Sequence, residues 1–427
     1  MADAMTTTTT VASQGPVDVR RLPSRPQPLG LFPLPLGYML IPAGPDTDAA
    51  RAELLAGRLP ENWPASLRSH ELAAAGQRDA AIAALDTSDP VSCYNRFVLD
   101  PDGVDTDSLR AQLGEYAALV DVVLFTLGRT DTPPRSGSAC AEMAAVLLSA
   151  QAGHALADGK ADAAIELLMQ AADAVRPVSP PISGTLWGAA GSIGRDTGRA
   201  DSEELLRKAL AALDGADGLH VARAEIHLCL AGLLHERAQN QPELLVSAIP
   251  HYHSTLQLIS RTDAALSWAA AHAGLATAYL TMPMVEASSQ LRLGVAAQSL
   301  RSALQVYTRE EYPQEWASMQ LNLANSLVYT PSRHHRDNLV EAVEIYEAVL
   351  QTRDRNTDPL GRARVLSNQG NVLAHLGVFD DAKAKLYEAR FLFEELDDVD
   401  SVRSVRGVLD EIARQRVLSN TDEAGKP

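Results

Sequence analysis

The sequence predicts an all-α protein built as a right-handed α-solenoid of stacked helix–turn–helix repeats, and three observations carry that expectation. Leu230-Ala231, Leu275-Ala276, Leu323-Ala324 and Gln369-Gly370 recur at spacings of 45, 48 and 46 residues, each midway along a helical apolar pattern. Landmarks keep step with them: Trp268 and Trp316 stand eight residues ahead of Ala276 and Ala324, and Pro313 and Pro359 eleven ahead of Ala324 and Gly370. Behind the later cores come second helical runs, Ala297 to Ala303, Ala342 to Ala348 and Leu386 to Ala389. A repeated helix pair cannot bury its own apolar face, so copies must stack, and stacking produces an extended concave surface. Such a surface points to binding rather than chemistry.

The elements follow in order. Residues 1–28, with the Thr6–Thr10 run and then prolines, have no core-forming pattern and are expected to form a disordered tail. Residues 29–46 are proline-rich and extended, yet Leu31, Phe32, Leu34, Leu36 and Tyr38 to Ile41 are too apolar to stay in water. This segment is expected to cap the end of the array, to occupy a groove where it competes in cis with a partner, or to be the part handed to a partner. Residues 47–134 read as an irregular helical region: a short helix over Asp48–Leu59, then a hairpin over Ser66–Leu85 turning at Ala73 and Gly76. One helix is expected over Thr106–Leu127, with an acidic first turn that suits its dipole. Cys93–Leu99 stays ambiguous between helix and an incidental pair of strands.

Residues 135–398 form the expected array. Its pairs are Ser138–Ala157 with Ala161–Val175, Gly184–Asp196 with Ser202–Leu213, and Leu219–Gln239 with Pro242–Ser260. Three more follow: Ala264–Leu280 with Ser288–Thr308, Pro313–Tyr329 with Asp337–Arg353, and Leu360–Leu376 with Asp380–Leu396. A capping helix is expected within 399–419, over Ser401–Leu418, its outer face carrying Arg403, Arg406, Glu411 and Arg414. Residues 420–427 should fray.

Composition excludes several classes. A net charge of −17 and a pI near 5.1 argue against nucleic acid as partner. Only five of the 37 basic residues are lysine, the bias that GC-rich coding gives. Cys93, Cys140 and Cys229 form no CxxC pair and suit a reducing compartment. No apolar stretch reaches transmembrane length, so membrane insertion is not expected. Arg20-Arg21 resembles a twin-arginine signal, but the prolines from Pro23 to Pro35 would break its apolar helix. A cytoplasmic location is the expectation.

The spacing of small and large residues brings in a family. Ala152-Gly153, Leu156, Gly159, Ala164-Ile165-Glu166, Leu168 and Ala171 resemble the tetratricopeptide repeat pattern, one residue short at the turn. The later pairs resemble its longer variant, found in kinesin light chains and in bacterial arrays preceding caspase-like domains. Tyr307 to Asn325, with Pro313, Trp316 and Asn322, looks like the linker and first helix of those bacterial repeats. The likeness covers Ser138 to Leu396 well and Ser66 to Leu85 in part. It is specific for fold and says little about function.

Signals for chemistry are weak. His220, His227, His235, His251 and His253 cluster around Cys229, but His251 and His253 point about 200° apart on a helix and cannot share an ion. His334-His335 falls in a loop. Gly188, Gly191 and Gly194 lack the strand before and the Lys-Ser/Thr after that a phosphate loop needs, so tight helix packing explains them better. No catalytic signature occurs, and neither an enzyme nor a cofactor is expected.

One feature does look like a site. Asn322 and Asn325 recur 46 residues later as Asn368 and Asn371. The resemblance implies that first helices line the groove, where a row of amides can pair with the backbone of an extended peptide; kinesin light chains carry similar asparagines. Thr277 and Arg364 complete the expected groove. A bland reading is that Asn322 and Asn368 only satisfy backbone between repeats. Ser318, Leu321 and Ser367 occupy places where chaperone-tail clamps carry lysines and arginines, which weakens the case for a carboxylate clamp. The expected function is an adaptor or scaffold binding a protein or extended peptide. Alternatives are an assembly factor holding a subunit of a multisubunit enzyme, a metalloenzyme among them, and a regulatory sensor of a small ligand.

Overall fold

The computed structural model describes residues 39–86, 88–137, 139, 141–282, 289–329 and 334–424. Among them the chain holds nineteen α-helices, three short 3₁₀ turns and no β-strand. The expected tail over 1–28 and the apolar segment before Met39 lie outside the described residues. The chain forms two compact units, Met1–Trp268 and Ala269–Pro427.

The described part of the first unit opens with Met39, Leu40 and Ile41, extended and almost fully buried. Helices α1 (Asp48–Leu55), α2 (Arg68–Ala74) and α3 (Arg78–Ala83) follow. The next helix, α4 (Pro90–Leu99), takes in the segment that the sequence left open to strands. Asp89 accepts the Ser92 N–H and Pro90 occupies the first turn, so an N-terminal cap fixes the helix against the β-branched residues within it.

A second correction concerns Thr106–Leu127. The structure divides it into α5 (Thr106–Leu113) and α6 (Ala118–Thr126). Gly114 sits between them at φ 57°, ψ −115°, a conformation that glycine alone adopts readily. Arg110 spans the break to Asp121 at 2.8 Å.

Regular pairs then run on: α7 (Ala141–Ala157) with α8 (Ala161–Val175), α9 (Pro180–Asp196) with α10 (Ser202–Ala212), and α11 (His220–Arg237) with α12 (Leu244–Leu258). Helix α9 starts four residues earlier than the sequence suggested. Ser179 caps it through the Ile182 N–H and also donates to Leu55 O at 2.6 Å, tying α1 to the pairs. A Cβ added at Gly184 would lie 3.0 Å from Ala209 O, and one at Gly188 2.5 Å from Ile226 Cδ1. These glycines let α9 approach α10 and α11, as the packing reading required.

The second unit comprises most of α13 (Ala265–Thr281), then α14 (Ser289–Ala303), α15 (Pro313–Tyr329) with α16 (His335–Leu350), and α17 (Pro359–His375) with α18 (Phe379–Glu395). Helix α19 (Val399–Ala424) packs on α18 and α17 and stays helical past Asn420. A common turn marks the pairs. Gly159 and Gly377 each stand two residues past a helix end with φ near +75°. The following amide bonds five residues back, Lys160 N to Ala155 O and Val378 N to Leu373 O, which closes the orphan carbonyls. Gly76 and Gly198 repeat the arrangement. Among the described residues each unit is thus all-helical and built of helices packed on their neighbours in sequence, consistent with a helical repeat array.

Candidate functional site

Asn322 and Asn325 lie three apart on α15, and Asn368 and Asn371 three apart on α17, so each pair shares one helix face. The residues between them, Leu323-Ala324 and Gln369-Gly370, are buried. A Cβ at Gly370 would come within 2.6 Å of Leu386 Cγ, so the small residue is what lets α17 settle on α18. This close approach holds the asparagine edge in a fixed place.

The structure brings two of the four asparagines together. Asn325 Oδ1 accepts from Tyr346 Oη at 2.6 Å and from Asn368 Nδ2 at 3.3 Å. One amide oxygen therefore joins the first helix of one pair, its own second helix and the first helix of the next. Tyr346 is 1% exposed, and burial holds its hydroxyl well above the usual phenol range, so it stays a donor. The sequence expectation that each amide offers both a donor and an acceptor fails for Asn325: both lone pairs of its oxygen are taken, which leaves Nδ2 as its donor. Asn322 and Asn371 are half-buried, and among the described residues neither amide has a hydrogen-bond partner. Arg364 is exposed on α17. Thr277 is half-buried on α13, but its hydroxyl donates to Ala273 O at 2.9 Å and is turned onto its own helix.

A second polar group, missed in the sequence, starts at Gln369, the residue after Asn368. Gln369 stands where the other repeats have leucine. Its Nε2 donates to Glu347 Oε2 at 3.0 Å, and Lys385 Nζ meets the same oxygen at 2.7 Å. The hydrogen bond from Lys385, then that from Gln369, holds the Glu347 carboxyl below its ordinary range. The replacement of leucine by glutamine was the visible signal; Glu347 became its partner only once α16 and α17 were placed side by side.

In the first unit the histidines pair differently from any sequence grouping. His227 on α11 and His251 on α12 approach at 2.9 Å between their Nδ1 atoms, and His235 meets Tyr252 Oη at 3.1 Å. Burial, then His251, then Arg223 push His227 down to about 4. Burial is also the chief cause that lowers His251 and His235. A shared Nδ1–H between two rings requires that at least one be neutral. Among the described residues no three histidine, cysteine or acidic side chains group as a metal site would. No helix there is long and apolar enough to cross a membrane.

No family model matches the chain, and no curated protein matches it.

Proposed function

We propose that this chain is a non-catalytic binding protein of the tetratricopeptide type, an adaptor or scaffold that grips an extended peptide along the asparagine edge of α15 and α17. The observation that carries the reading is the Tyr346–Asn325–Asn368 hydrogen-bond chain. It fixes the first helices of two successive pairs in register, with the neighbouring amides of Asn322 and Asn371 left without partners inside the protein. Fixed amides at helical-repeat spacing suit the main chain of an extended segment, whose N–H and C=O groups alternate and carry no sequence information. The buried small residues Ala324 and Gly370, the repeated glycine turns and the tetratricopeptide-like spacing support a repeat array of right-handed type.

The edge reads as uneven. Asn325 contributes a donor only, Asn368 retains its acceptor oxygen, and Asn322 and Asn371 keep both. Within the protein His227 pairs with His251 and His235 with Tyr252, and we read these histidines as structural rather than catalytic.

A random 12-residue peptide library displayed on phage and selected against the full chain tests this. Selected peptides should bind the chain and lose about tenfold in affinity in Asn322→Ala and again in Asn371→Ala, the effect of one hydrogen bond each. Peptides that bind the double variant as tightly as the parent would overturn the reading.

A further inference from the structure

The extended start of the first unit is held in an unusual way. Leu40 belongs to no sheet, yet its main chain is fully engaged by side chains. Its N–H donates to Asn95 Oδ1, and its C=O accepts from Asn95 Nδ2 at 2.8 Å and from His70 Nε2 at 2.9 Å. Asn95 is 1% exposed and turns both ends of its amide to this one residue. A single amide that binds N–H and C=O of the same residue does for an extended peptide what a neighbouring strand would do.

Side chains on either side complete the recognition. Met39 is wholly buried against Ala73, Ala81 and Leu99, with Leu72 and Ile82 beside them. Ile41 is 6% exposed. The Thr47 hydroxyl lies 2.7 Å from Pro42 O and caps the exit of the segment. A cavity of about 200 Å³ borders the segment at Pro42, lined also by Ser66, His70, Leu85 and Asn95.

We infer that α2, α3 and α4 form a second peptide slot, one that reads the main chain of an extended apolar segment and is occupied in cis by Met39–Pro42. The occupant it fits is chemically defined. It is extended, with a large flexible apolar residue, then a residue whose N–H and C=O are both free, then a branched apolar residue. The cavity bordering Pro42 accommodates a bulkier residue than proline at the fourth place. No sheet holds this segment and its main chain is bound only by the side chains of Asn95 and His70, so a partner segment that offers the same groups can exchange with the cis occupant. The inference stands apart from the asparagine edge of α15 and α17, and either holds if the other fails.

The probe is a fluorescein-labelled synthetic peptide that carries residues 37–44, titrated against the full chain by fluorescence anisotropy. Wild type should bind it weakly, because the slot is filled. In the full chain with Met39→Asp and Leu40→Pro, the cis segment loses its anchor and its N–H, and binding should strengthen about tenfold or more. Adding Asn95→Leu to that variant should abolish the gain. A folded opened variant that shows no gain, or a gain that survives Asn95→Leu, would overturn the inference.

Should the opened variant unfold, hydrogen exchange in the wild-type chain decides instead. The Leu40 amide should exchange well ahead of the Phe97 amide of α4. Equal protection of the two would make the segment an integral part of the core and overturn the inference.

Discussion

Buried neutral histidines give the first unit a pH dependence whose sign follows from their surroundings. His70 is 1% exposed; its Nε2–H meets Leu40 O and its Nδ1 has no partner. Burial lowers its pKa from 6.5 to about 4, against the bond to Leu40, which acts the other way. In the unfolded chain it titrates near 6.5, so between these values the unfolded state holds more protons and stability falls as pH falls. For His70 the loss amounts to on the order of 3 kcal/mol, complete below the folded value. His227, also held at about 4, adds to the loss in the same window. We expect the unfolding midpoint to drop between pH 7 and pH 5, and His70→Gln, which keeps a donor to Leu40, to flatten the drop. A midpoint independent of pH across that range would contradict the assignment. Little of this was legible in the sequence. His70 stood in an ordinary hairpin, and the His227–His251 contact joins residues 24 apart through the register of two helices.

Among the elements, the repeated helices were readable because small and large residues recur at helical spacing and because glycine closes the turns at Gly76, Gly159, Gly198 and Gly377. The misreadings share a cause. Helix α4 depends on the cap at Asp89, and the break at Gly114 interrupts a pattern whose apolar period continues on both sides. A local backbone preference decided in each case, where periodicity had no voice. Trp316, eight residues ahead of Ala324, is half-buried at the start of α15, with the Arg309 guanidinium 5.6 Å from its ring. A fully buried tryptophan would cost ~3–5 kcal/mol on truncation; here Trp316→Ala should cost about 2 kcal/mol, part of it the lost cation–π contact. Chemical denaturation of the variant measures it. A cost above 4 kcal/mol would place the ring in the core, and one near zero would leave it without a structural role.

At the scale of the whole molecule, function turns on where a ligand would sit. Sequence recurrence singled out the four asparagines, and the structure distinguishes among them: Asn325 and Asn368 bind each other, and Asn322 and Asn371 keep their amides. That division could not be read from spacing, because it depends on which amide edge the neighbouring helix reaches first. The most direct test is hydrogen exchange of the full chain with and without a saturating selected peptide. Added protection should concentrate in α15 and α17, over Asn322–Asn325 and Asn368–Asn371, with α16 and α18 little changed. Protection confined to α16 and α18, or absent from both first helices, would contradict the proposed groove.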